Sequence, residues 1–122
     1  MPASRSALLI TAGCAFLASA GQAFAHAIVT GSSPAAGATV PGPDIPVVLH
    51  FNSRIDQERS RLTLEGPDGK NRPVAVAVAR SPDAMTATAS GLQPGGYKLH
   101  WQVLAVDGHI TRGEIPFTVA TP

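Results

Sequence analysis

Gly96-Tyr97-Lys98-Leu99-His100-Trp101-Gln102-Val103 is the stretch on which the fold turns. Tyr97, Leu99, Trp101 and Val103 alternate with Lys98, His100 and Gln102, and alternation at period two sets one face of a strand against a core and the other in water. A helix would scatter both sets around its axis, so this stretch, continued to Val106, reads as the longest strand of the chain. Trp101, on its dry face, is expected to anchor a core between two sheets.

The same grammar extends in both directions. Upstream, Val47-Val48-Leu49-His50-Phe51 follows Pro46, Leu62-Thr63-Leu64 runs into Pro67-Asp68-Gly69, and Val74, Val76 and Val78 alternate with alanines. The proline fixes φ ahead of an Asp-Gly pair that tolerates positive φ, which is a hairpin signal with a mechanism. Met85 to Ser90 and, downstream, Ile115 to Val119 complete the set with a first strand at His26 to Thr30; Ser32 to Pro46, rich in Gly, Pro and Ala, reads as a crossing loop. Seven short strands without a helix predict an all-β domain, a seven-stranded antiparallel two-sheet sandwich or Greek-key barrel.

Residues 1 to 25 read as a secretory leader rather than part of that domain. A single cation, Arg5, precedes an apolar run from Ala7 to Ala20, and Ala23-Phe24-Ala25 supplies a small-x-small cleavage site. The run is shorter than the roughly 20 residues that span a bilayer. Two other processing routes stand beside this one: cleavage after Ala18-Ser19-Ala20, which leaves Gly21 first, and lipidation at Cys14, whose preceding apolar run is short and lacks the expected upstream leucine. Cleavage after Ala25 leaves residues 26 to 122 as one domain with no cysteine, which excludes disulfides and thiolate metal sites. The exported part then carries eight Lys and Arg against eight Asp and Glu, since Arg5 leaves with the leader. A neutral, aromatic-poor surface argues against nucleic acid and anionic membrane as partners.

Four histidines follow the leader. His50, inside a strand, and His100, on the wet face of the long one, have no carboxylate or histidine at ligand spacing and read as structural or surface residues. His109 has Asp107 two residues before it and only Gly108 between. In extended backbone residues i and i+2 share a face, so carboxylate and imidazole can converge on one ion, although Asp-Gly is also a common solvated turn. Cleavage after Ala25 makes His26 the first residue, with both an α-amine and an imidazole. His26, Asp107 and His109 then offer three nitrogens and one oxygen, a donor set suited to tetragonal Cu(II), with Ni(II) second and tetrahedral Zn(II) weaker. These donors bind deprotonated, and in reference compounds an α-amine titrates near about 8 and an imidazole near about 6.5, so affinity is expected to fall below neutral pH.

At this point the chain resembles a known family. The histidine at position 26, Ser32-Ser33-Pro34-Ala35-Ala36-Gly37, Leu49-His50-Phe51, Gly96 to Trp101, Asp107-Gly108-His109 and Gly113-Glu114-Ile115-Pro116-Phe117-Thr118-Val119 are, in that order, similar to the CopC family over nearly all of residues 26 to 120. The resemblance implies a periplasmic copper-binding protein of immunoglobulin-like sandwich form, active in copper resistance or uptake. It implies one Cu(II) per chain on His26, Asp107 and His109, and a CopD-like inner-membrane transporter as partner. Two departures stand out. Many members carry a methionine-rich loop for Cu(I), whereas only Met85 remains here, which marks a Cu(II)-only type. Phe51-Asn52-Ser53 replaces the frequent Phe-Ser-Glu, whose acid supports a ligand, and this bears on affinity more than on the metal's identity.

Two other function classes fit parts of the pattern. An N-terminal histidine with a second histidine on a sandwich is also similar to the copper site of oxidative polysaccharide monooxygenases. The Asp107 carboxylate would stabilise Cu(II) against the reduction such chemistry needs, and no row of exposed aromatics is evident. A metal-free exported interaction module is the third class, favoured if processing leaves Gly21 first. No nucleophile-base pair, phosphate loop or paired catalytic carboxylates can be assembled, so the chain reads as a binding protein rather than an enzyme.

Overall fold

The computed structural model describes residues 27–122. The expected leader and His26 lie outside the described residues. In chain order the strands are β1 (Val29–Ser33), β2 (Thr39–Val40), β3 (Ile45–Phe51), β4 (Arg61–Glu65), β5 (Asn71–Val74), β6 (Val76–Ala77), β7 (Ala84–Ala89), β8 (Gly95–Leu104) and β9 (Ile110–Val119), with a single 3-10 turn at Gln57–Arg59. They form two sheets, one ordered β1-β3-β7-β6 and the other β2-β9-β8-β4-β5. The result is the expected all-β, immunoglobulin-like sandwich.

There are nine strands where seven were expected: seven have four residues or more and each overlaps an expected stretch, with shifted bounds such as Val29–Ser33 for the first, while β2 and β6 have two residues each. Three details correct the sequence reading. The loop expected from Ser32 to Pro46 is partly strand, because β1 runs through Ser33 and Thr39–Val40 pairs with Thr118 and Val119. That pairing is parallel, so the sandwich is not wholly antiparallel. The strand expected over Val74 to Val78 is divided: Val74 pairs with Leu62 in one sheet, Val76 with Ala87 in the other, and Val78 is left exposed. The chain changes sheets at Ala75, between Val74 and Val76.

Between the sheets, alternate residues meet. Ile45, Val47, Leu49 and Phe51 of β3 and Leu62 and Leu64 of β4 are buried with Tyr97, Leu99 and Val103 of β8 and Ile115, Phe117 and Val119 of β9. Each such side chain contributes about 1.5–3 kcal/mol through burial. Trp101 is not the centre of this core, contrary to the expectation. The ring sits half-buried at the margin, edge-on to Phe51 at 5.4 Å. Its room comes from Gly113, its cross-strand partner, where a Cβ would stand 2.5 Å from Trp101 Cζ2. Leu49, Leu99 and Met85 hold the centre instead.

Candidate metal centre

Strands β8 and β9 pair in register from Gly95↔Val119 to Leu104↔Ile110, and the connection between them is the loop that carries Asp107 and His109. Gly108 N–H donates to Ala105 O at 2.9 Å and Ala105 N–H to His109 O at 2.8 Å, which folds the loop back on itself. Gly108 has φ of +89°, a left-handed conformation that a side chain would strain. The extended backbone assumed for Asp107-Gly108-His109 is therefore replaced by a turn. The two side chains converge all the same, by a different device. One Asp107 oxygen, Oδ1, accepts the His109 backbone N–H at 3.0 Å, and the other, Oδ2, lies 2.6 Å from His109 Nδ1.

These contacts set the electrostatics. The His109 backbone N–H, and after it the His109 ring, hold the Asp107 carboxyl below the usual carboxylate range. The carboxylate is one-quarter exposed while the His109 side chain is 61% exposed, so the loop presents an ionised acid and an accessible imidazole together. Carboxylate-oriented imidazole is the arrangement that fixes tautomer and ring direction at metal sites.

His26 lies outside the described residues, but the chain beside it is closely held. Ala27 is buried, and its carbonyl accepts the Thr111 hydroxyl at 3.1 Å, two residues beyond His109 on β9. Ile28 N–H donates to Asn52 Oδ1 at 2.8 Å, and Asn52 N–H returns to Ile28 O at 3.0 Å. The start of the described chain is thus joined to β9, the strand that follows the His109 loop, by a contact across 84 positions. Among the described residues no group of three or more His, Cys, Asp or Glu converges on a metal position. Asp107 and His109 make a pair, and a further donor has to come from elsewhere.

The remaining histidines fall where the sequence put them, with an addition. His50 is exposed on the outer face of its sheet. His100 has carboxylate neighbours after all: Glu65 Oε1 is 2.9 Å from Nε2, and Glu114 Oε2 is 3.6 Å from Nδ1. The acids face opposite ring nitrogens, so they cannot converge with the imidazole on one ion. They arrive through cross-strand pairing, His100 with Glu114 and Lys98 with Glu65, which local spacing does not display. Asn52 and Thr111 were also missed as contributors to the site region. A groove of about 610 Å³ beside Pro67, Arg72, Leu92 and Tyr97 lies at the other end of β8 and shares no residue with the Asp107 loop.

A two-sheet sandwich carrying an Asp-Gly-His turn beside the start of its first strand defines a class of small β-sandwich binding domain. The CopC domain pattern matches residues 29–120, and the chain belongs to the CopC family. It is 36% identical over 113 residues to copper resistance protein C of Xanthomonas campestris pv. juglandis, covering 86% of this chain and 87% of that one. Protein YobA of Escherichia coli K12 is 32% identical over 99 residues, covering 79% and 80%. The crystal structure of CopC from Methylosinus trichosporium OB3b superimposes with a TM-score of 0.71 at 28% identity, covering 79% of this chain and 95% of that one.

Proposed function

We propose that this chain is a periplasmic copper carrier or buffer that holds one Cu(II) per chain on His26, Asp107 and His109 after removal of residues 1 to 25. The observation that carries the reading is the tie between Ala27 and Thr111, which sets the residue after His26 beside the strand that follows the Asp107-His109 turn. Family membership and the likeness to a copper resistance protein support copper as the cargo. His26 contributes its α-amine and imidazole. Nδ1 of His109 lies 2.6 Å from Asp107 Oδ2, so for both side chains to hold one ion that contact opens and the imidazole and the carboxylate each turn a donor atom to the metal.

The donor chemistry favours Cu(II) over Cu(I). Met85, the one methionine beyond the leader, is fully buried in the core, so no thioether cluster forms at the surface. A carboxylate in the set stabilises the divalent ion, which suits storage and delivery better than oxygen activation. The protein is therefore a carrier rather than an enzyme. Delivery to a CopD-like inner-membrane transporter completes the proposal; no helix among the described residues is long and apolar enough to cross a membrane itself.

Isothermal titration of protein verified to begin at His26 tests the reading. One Cu(II) should bind per chain, and His26→Ala and His109→Ala should each weaken binding by at least about tenfold, or about 1.4 kcal/mol. No stoichiometric binding, or an affinity indifferent to both substitutions, overturns it.

A further inference from the structure

The proposed ligands come from opposite ends of the chain, so something must fix the distance between them. We infer that Thr111 is a positioning residue for the copper site, acting through the Ala27 carbonyl on the adjoining His26. The inference rests on the ligand set proposed above. Its hydroxyl donates to Ala27 O at 3.1 Å, and this is the bond that joins the start of the described chain to β9. On the other side the Asn52 side chain and backbone hold Ile28 to the end of β3. Ala27, which is buried, is thus held to β9, and its neighbour Ile28 is held to the end of β3.

Position within the strand makes Thr111 suited to this task. Residues 111, 113, 115, 117 and 119 form the inward face of β9, with Ile115, Phe117 and Val119 buried. Thr111 is the first inward side chain after the turn, and in place of an apolar group it brings a hydroxyl to the sandwich's open end. A nonpolar residue there would bury as well but would leave the Ala27 carbonyl without its side-chain donor. The bond also ties the two ligand-bearing segments to one another directly, since Thr111 stands two residues after His109 and Ala27 one after His26. Its loss removes this tie between Ala27 and β9 while the two sheets remain packed.

The test uses mature protein beginning at His26 in three forms: parent, Thr111→Val and Thr111→Ser, with His26→Ala as reference. Circular dichroism confirms the fold, a competing chelator gives Cu(II) affinity, and electron paramagnetic resonance reports the donor geometry. The expected result is about tenfold weaker binding for Thr111→Val, the low end of what partners of metal ligands contribute, with altered copper hyperfine splitting. Thr111→Ser, which keeps the hydroxyl, restores both. Should the valine variant fail to fold, Thr111→Ala, which removes the same donor without added bulk, is read by the same criteria. Parent-like affinity and spectrum without the hydroxyl, in a background where His26→Ala is clearly weakened, overturn the role of Thr111 alone. Equal affinity in the parent and His26→Ala overturns the underlying ligand set.

Discussion

Asp107 bears on both the shape and the charge of the loop, because its two oxygens take the backbone and the ring of the same residue, His109. Its folded pKa is depressed, so its contribution is present above the unfolded value of about 3.9 and is lost only as pH falls through the lower folded value. Across pH 5 to 8 the carboxylate stays ionised. Under the proposed ligand set, any loss of copper on mild acidification would therefore not arise from Asp107. Asp107→Asn should lower Cu(II) affinity by at least about tenfold, or about 1.4 kcal/mol, yet leave the pH at which binding weakens unchanged; chelator competition from pH 8 to 5 checks both. A shifted pH profile in the asparagine variant would contradict this assignment. The pair Asp107 and His109 was legible in the sequence because its geometry is local. Thr111 and Asn52 were not, since each acts on a residue distant in sequence, 84 positions away in one case and 24 in the other.

At the scale of elements, the β8–β9 hairpin sets the loop's position. The first of these strands could be read from the alternation of Tyr97 to Val103, but only the second half of the other could. Thr111-Arg112-Gly113-Glu114 mixes polar residues with a glycine and has weak strand propensity of its own. Pairing with Gln102, Trp101 and His100 supplies the order that propensity lacks. The division between β5 and β6 was hidden for a related reason: a run of alternating Val and Ala is compatible with either sheet. Gly113 is the hairpin's most restrictive position, because the Trp101 ring occupies the space of its missing Cβ. Gly113→Ala is expected to destabilise the domain by about 1–3 kcal/mol through overpacking, measured by urea denaturation. An unchanged midpoint would show that the ring moves aside without cost.

The whole molecule is a sandwich with two unlike ends. One carries the β4–β5 turn and the groove beside Pro67, the other the Asp107 loop and Ala27, at the start of the described chain. Ala27, at the start of the described chain, and the Asp107 loop meet at the second end because the first and last strands of the domain both reach it. The proposed copper site depends on processing, which would turn His26 from a linked residue into one with a free amine. The most direct measurement compares the Cu(II) affinity of two forms of the same domain, one beginning at His26 and one retaining Ala25. Loss of the amine should weaken binding by at least about tenfold, or about 1.4 kcal/mol, with a changed electron paramagnetic resonance spectrum. Equal affinity and identical spectra in the two forms would contradict the claim that the first residue of the exported chain completes the copper site.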